Sequence, residues 1–291
     1  MNLVDSQNVR TVGITGGGGF IGRAVVSGLQ SAGLTVILLA GDVRDSGTFD
    51  KDFDVLIHLA ALTPSAGDVM SAEMVSVNVA GSTQALEACR QRGAPIVLAS
   101  TSGIYQSQSS REPLVETSPV QPRWLYPLTK HMAEQVCLHY AHTHGVRGTI
   151  LRIFNVYGPG QSDFFLIAYL IASALSGKRA TIRNRYSIRD WVHVDDVASA
   201  FVKAATHNGD MLQLNVGAGI ATDMIQLTDA IGKAVGDDPV SYDLQDCQND
   251  PTPVVYADIN AVRQALDWQP QISFADGIAD CFERARLAGG Q

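Results

Sequence analysis

Short apolar runs that do not alternate with polar residues recur along the chain, each followed by a longer stretch with helical spacing. The runs are 11–15 (TVGIT), 35–39 (TVILL), 55–60 (VLIHLA), 95–100 (PIVLAS) and 148–154 (GTILRIF). Between them the pattern predicts helices over 20–32, about 72–92 and about 128–143, with Gly33 stopping the first. Strands apolar on every residue are buried on both faces, which predicts a parallel sheet covered by helices on each side. After 157–160 (YGPG) the pattern loosens to one helix at about 163–176, a basic stretch at 178–189 and shorter elements to the C-terminus. The reading is an α/β chain: a doubly wound nucleotide-binding domain from 1–158 plus 189–217, and a smaller, discontinuous C-terminal lobe from 159–188 plus 218–291.

Composition changes this picture little. The 291 residues are 46% hydrophobic and 17% charged, a balance that supports a sizeable core. A net charge of -8 is a poor match for nucleic acid or an anionic membrane. The N-terminal residues lack a secretory pattern, and no apolar run reaches the roughly 18–20 residues of a spanning helix. Cys89, Cys137, Cys247 and Cys281 have neither C-x-x-C nor framework spacing. They read as free thiols, which places the protein in the cytoplasm.

The segment TGGGGFIG (15–22) joins the first strand to the first helix and fits both Gly17-x-Gly19-x-x-Gly22 and Gly16-x-x-Gly19-x-x-Gly22. Backbone free of Cβ atoms at a helix N-terminus suits a dinucleotide pyrophosphate. An acidic residue for the ribose is expected about 20 residues on. Here the strand end carries none, and Asp42 is placed to reach either the ribose or the adenine. Arg23 and Arg44 are available to a 2′-phosphate, which leaves NAD and NADP both open.

Ligands of such sheets bind beyond the carboxyl ends of the strands. PIVLAS ends in Ser100-Thr101-Ser102, and the next helix brings YPLTK (126–130). Tyr126 and Lys130 are four apart and share a helix face. Ionising a tyrosine near neutrality requires roughly 4 kcal/mol of differential stabilisation, which a nearby ammonium and a cationic nicotinamide can supply. Pro127 is tolerated only in a first turn, so Tyr126 is expected at the helix start.

The ordered set TGGGGFIG, GDVRD (41–45), HLAA (58–61), NVAGS (78–82), ASTSGIY (99–105), YPLTK, LRIFNVYGPG (151–160), RDWVHVDDV (189–197) and NVGAG (215–219) resembles the extended short-chain dehydrogenase/reductase family, the NAD-dependent epimerase/dehydratases of nucleotide sugars. The resemblance implies a Rossmann-type domain, an NAD cofactor with NADP not excluded, a nucleotide-sugar substrate and a homodimer paired through the helices near 72–92 and 128–143. It implies that Thr101, Tyr126 and Lys130 are catalytic, Tyr126 as acid/base and Lys130 lowering its pKa. Cofactor contacts are implied at Gly16, Gly19, Phe20, Ile21, Gly22, Asp42, Val43, Leu59, Ala60, Ala61 and Asn78, besides Tyr126 and Lys130. Substrate contacts are implied at Ser102, Asn155 and Arg189.

Departures sharpen the expectation. Ser102-Gly103 stands where 4,6-dehydratases of the family place an Asp-Glu pair, which argues against dehydration. No Lys or Arg lies between Lys233 and Arg263, where many members hold a diphosphate-gripping arginine. The stretch 178–189 (KRATIRNRYSIR) offers Arg183, Arg185 and Arg189 as a substitute clamp. His139, His142 and His144 lack a carboxylate partner and read as a surface or interface helix, so no metal is expected. His193 reads as structural. The leading expectation is a nucleotide-sugar 4-epimerase, with a 4-keto-sugar or other ketone reductase as the alternative and a non-catalytic NAD(P) sensor as a second.

Overall fold

A computed structural model describes residues 9–63, 70–106, 108, 110–236, 242–245 and 254–289; Cys247 lies outside them. The central sheet opens with β1 (Thr11–Thr15), β2 (Thr35–Leu38), β3 (Val55–His58), β4 (Ile96–Thr101) and β5 (Gly148–Ile153). Four short strands follow, β6 (Asn155–Tyr157), β7 (Ala180–Ile182), β8 (Ile188–Arg189) and β9 (Trp191–His193), before β10 (Leu212–Val216) completes it. Its order is β10-β5-β4-β3-β1-β2, parallel throughout. Three more short strands are β11 (Thr222–Asp223), β12 (Tyr242–Leu244) and β13 (Val254–Val255). The helices are α1 (Phe20–Ser31), α2 (Ser71–Val75), α3 (Gly81–Arg92), α4 (Leu125–His144), α5 (Leu166–Leu175), α6 (Val194–Ala205), α7 (Met224–Val235), α8 (Asn260–Leu266) and α9 (Phe274–Gly289).

Successive strand residues point to opposite faces. Val55, Ile57 and Val97 pack with Val25 and Leu29 of α1 and Val197 and Phe201 of α6. Leu56, Ile96 and Leu98 pack with Leu86 and Cys89 of α3 and Ala133 and Cys137 of α4. These strand side chains are fully buried, and each contributes about 1.5–3 kcal/mol relative to exposure. That is the two-sided burial the unbroken apolar runs predict.

Three features differ from the expectation. The helix expected at about 72–92 is α2 and α3 joined by a wider π turn at Ser76–Ala80. Tertiary contacts accompany it: Asn78 is drawn into the core to bond Leu62 and Thr129, and Gly81 lies so close to Val43 that a Cβ would stand 2.5 Å from Cγ2. The helix expected from residue 128 begins at Leu125, with Pro127 in the first turn where its missing N–H is harmless. The chain after 189 holds α6, α7 and α9, longer than the short elements expected. The start of α6 is marked by the His193 cap, whose Nδ1 accepts from Asp195 N at 3.3 Å, and by Asp195 and Asp196 in the first turn.

In the smaller lobe, Ile167 and Leu170 of α5, Leu227 and Ile231 of α7 and Ile278 of α9 form a separate core. Helix α8, within the segment assigned to the lobe, instead packs Val262 and Leu266, with Trp268, into the core of the central sheet. Asp190 ties the two parts together. Its Oδ1 accepts from Ala218 N at 2.6 Å, and its Oδ2 accepts from Gly219 N and Ala257 N at 2.9 and 3.1 Å. Burial pushes its carboxyl up to about 6, against the pull of those three donors.

Candidate active site at the strand ends

The glycine loop sits where β1 ends. Gly16 takes φ +70°, and a Cβ there would stand 2.7 Å from Ala60 N; a Cβ on Gly22 would stand 2.1 Å from Gly16 O. The loop therefore lies directly on the start of α1 and on the Leu59–Ala61 segment. Gly19 caps α1 without a side chain, so the first N–H groups of the helix, at Phe20, Ile21 and Gly22, are open to an anion. Thr15 Oγ1 and His58 Nδ1 bolt β1 to β3 at 2.8 Å, and Ala60 N donates to the same hydroxyl at 3.3 Å. His58 is fully buried, and burial, then the charge of Lys130, push its pKa down to about 3, so it is neutral. Phe20 packs toward Gly158, bringing the 157–160 turn against the loop.

Beyond β2, Leu39 is buried and Ala40 exposed, so no carboxylate stands at the strand end. The Asp42 carboxylate is taken by Arg44, whose Nε lies 2.8 and 2.9 Å from its two oxygens. That pairing holds Asp42 down to about 2. Val43 is buried, its side chain packed against Gly81.

Thr101 ends β4, and its Oγ1 accepts from Gly103 N at 3.2 Å, leaving the hydroxyl hydrogen to donate elsewhere. The following turn packs on the start of α4: a Cβ on Gly103 would stand 3.0 Å from Pro127 Cγ. Ser102 beside it is buried. Tyr126 lies half-buried in the first turn of α4, and Lys130 is buried one turn on. Burial alone pushes Tyr126 up to about 12, and burial pulls Lys130 down to about 8 with Glu134 opposing it. The expected lowering of Tyr126 by Lys130 is thus not found within the protein itself. The phenol and ammonium lie one helical turn apart with no hydrogen bond between them, and desolvation sets the direction for each.

Asn78, expected at the cofactor, is fully buried. Its Oδ1 accepts from Leu62 N at 2.7 Å, and its Nδ2 donates to Leu62 O and Thr129 Oγ1, both at 2.9 Å. Thr129 in turn donates to Tyr126 O at 2.8 Å. The amide is fully engaged within the fold, so Asn78 braces the loop after β3 and the turn carrying Tyr126.

On the other side of the cleft, Asn155 donates from Nδ2 to Asp190 O at 3.0 Å, next in chain to the half-buried Arg189 on β8. Arg183 and Arg185 are exposed between β7 and β8, Arg185 lying over the Tyr186 ring at 5.4 Å. The basic stretch is therefore divided, with Arg189 next to Asp190 and the other two on the outer surface. His139, His142 and His144 are exposed, and among the described residues no metal-binding group occurs. Cys89, Cys137 and Cys281 are buried free thiols. A groove of about 1260 Å³ lies elsewhere, between α1, α6 and α8 beside Lys203, Arg263 and Trp268.

A further group went unread in the sequence: Ser100, Glu134 and Arg152, all buried beneath Thr101 and Lys130. An arginine inside the apolar run GTILRIF, and a glutamate one turn after Lys130, were the available signals.

These residues fit a bound dinucleotide. The cradle at Gly16 and Gly22 has no space for a side chain, the helix start offers N–H groups, and among the described residues the buried Lys130 ammonium has no hydrogen bond. Over 93% of its length the chain is 29% identical to a UDP-glucose 4-epimerase of Mycolicibacterium smegmatis, of which it covers 96%. In structure it is similar to the UDP-glucose 4-epimerase of Thermotoga maritima solved with UDP-glucose (TM-score 0.87, 26% identity, 96% of this chain and 99% of that one). It is also similar to RMD of Pseudomonas aeruginosa complexed with NADPH (TM-score 0.84, 25% identity, 96% and 99%). Residues 12–217 match the model of the NAD dependent epimerase/dehydratase family, and the chain belongs to that family.

Proposed function

We propose that this protein is an NAD(P)-dependent nucleotide-sugar 4-epimerase. The observation that supports the reading is the packing of the turn after Thr101, through Gly103, on the first turn of α4, which carries Tyr126 with Lys130 one turn on. When bound, the cofactor supplies reversible hydride acceptance. As the phenolate that Lys130 and a bound cationic nicotinamide would favour, Tyr126 Oη would take the proton of the sugar hydroxyl and later return it, while the Thr101 hydroxyl would donate a hydrogen bond to the same sugar oxygen. Lys130 binds the cofactor ribose and sets a positive charge on the face of α4 that carries the phenol. The small pair Ser102-Gly103 leaves the ring room to turn. Proton and hydride both leave and both return, so no reductant is consumed.

The exposed residues Leu128 and Met132 on α4, with Trp124 just before its start, support a homodimer, and the buried free thiols suit a reducing cytoplasm. Among the described residues no helix is long and apolar enough to cross a membrane. One preparation tests the reading. Freshly purified protein should carry bound NAD, sediment at twice the chain mass, and interconvert a UDP-hexose with its 4-epimer without added cofactor. A protein that consumes NADPH only with a 4-keto sugar would instead be a reductase. That second reading is favoured by the likeness to the NADPH complex and by the absence of a free carboxylate at the end of β2.

Arg189 is the strongest candidate for the substrate diphosphate, being half-buried and adjacent to the residue that Asn155 bonds. A charge-assisted bond of this kind is worth about 1.5–3 kcal/mol. Arg189→Ala should therefore weaken UDP binding in calorimetry by roughly 10- to 100-fold. Arg183→Ala and Arg185→Ala, at the exposed positions, should change it less. Unchanged affinity in all three variants would show that the stretch takes no part in holding the diphosphate.

A further inference from the structure

The charge nearest the buried Lys130 within α4 lies one turn on, at Glu134, itself fully buried. Its carboxylate is gripped from two strands. Ser100 Oγ of β4 donates to Oε1 at 2.5 Å; from β5, Arg152 donates Nε to Oε1 at 3.1 Å and Nη2 to Oε2 at 2.9 Å. Gln213 of β10 adds a longer contact to Oε2 at 3.4 Å. Arg152 continues the chain, donating Nη1 to Tyr105 Oη at 3.1 Å and Glu116 O at 2.8 Å, and Tyr105 donates to Asn215 Oδ1 at 2.5 Å.

We propose that Glu134 is the positioning residue of this site, locking the helix that carries Tyr126 and Lys130 to the strand that carries Thr101 and giving Lys130 its counter-charge. The proposal rests on the roles given above to those three residues. Ser100 immediately precedes Thr101, so its bond to Glu134 sets where the end of β4 stands relative to α4. Arg152 holds the carboxylate in place with its two donors. A buried ion pair of this kind is often replaceable by apolar side chains without loss of stability, so stability alone does not account for it.

Among the described residues the titratable groups facing this carboxylate are few. They are Lys130 and His131 on α4, the latter with Nδ1 at 3.7 Å, Arg152 on β5 with Tyr105 behind it, and the Cys137 thiol, which is held neutral by burial. Lys130 also faces His58 on β3, which is neutral. Glu134 is the group that holds Lys130 up against burial. Its removal lets the ammonium lose its proton at lower pH.

The test pairs Glu134→Leu/Arg152→Met with Ser100→Ala, reading melting temperature, NAD affinity against pH without sugar, and turnover. The double variant should melt near wild type, and its NAD affinity should fall off at a pH about one unit lower, with turnover down roughly 10- to 100-fold. Ser100→Ala keeps the charge and breaks only the link, so turnover should fall about 3- to 10-fold while the pH profile stays in place. A double variant whose NAD–pH profile superimposes on wild type overturns the counter-charge, and wild-type turnover in Ser100→Ala overturns the frame. If the double variant does not fold, Ser100→Ala still decides the frame. Wild-type protein inactive on every sugar would defeat the epimerase reading and leave the NAD–pH comparison standing.

Discussion

Tyr126→Phe is expected to cut turnover by about 10²–10⁴-fold, the usual contribution of a positioned general acid–base. Among the described residues the hydroxyl makes no hydrogen bond, and burial pushes its pKa up. Its removal therefore orphans no partner, and the ring keeps its packing at the start of α4. Melting temperature and NAD affinity should stay within error of wild type. Loss of turnover with unchanged binding separates a proton-transfer role from a folding role. A Phe variant retaining more than about half the wild-type rate would remove Tyr126 from the chemistry.

Gly22→Ala is expected to raise the NAD dissociation constant by more than about 100-fold, roughly 2.7 kcal/mol. A Cβ at residue 22 would stand 2.1 Å from Gly16 O and 2.8 Å from Gly17 Cα, both backbone positions with no rotamer to give way. Relief requires the loop to lift from the first turn of α1, which takes the cradle away from the helix N–H groups. The overpacking itself costs about 1–3 kcal/mol of stability. Gly232→Ala on α7, where nothing stands within 4 Å, is the control and should bind NAD normally. A Gly22→Ala protein that is folded by circular dichroism and binds NAD within about threefold of wild type would show that the cradle is placed elsewhere.

What the chain announces by itself is whatever depends on near neighbours. Unbroken apolar runs specify strands buried on both faces, and glycines after the first strand specify a turn followed by a helix start. The placement of Pro127 within α4 is equally local, because ring geometry allows proline only in a first turn. Tyr126 and Lys130 are four apart, so their shared face follows from helix geometry. The resemblance in ordered motifs carried the rest of the site's outline.

Contacts between distant residues were decided only by the tertiary structure. Glu134 and Arg152 lie 18 residues apart, and Tyr105 and Asn215 lie 110 apart; neither pairing has a periodic signature. Asn78 reads as a cofactor contact in a motif, yet packing turns its amide inward to Leu62 and Thr129. Arg183, Arg185 and Arg189 read as one cluster, yet strand pairing leaves Arg189 half-buried next to Asp190 and the other two in solvent. The physical reason is common to all of these. Local sequence sets backbone conformation and which face a side chain takes, whereas burial, and with it the strength and partner of every polar group, is set by what the other elements bring against that face.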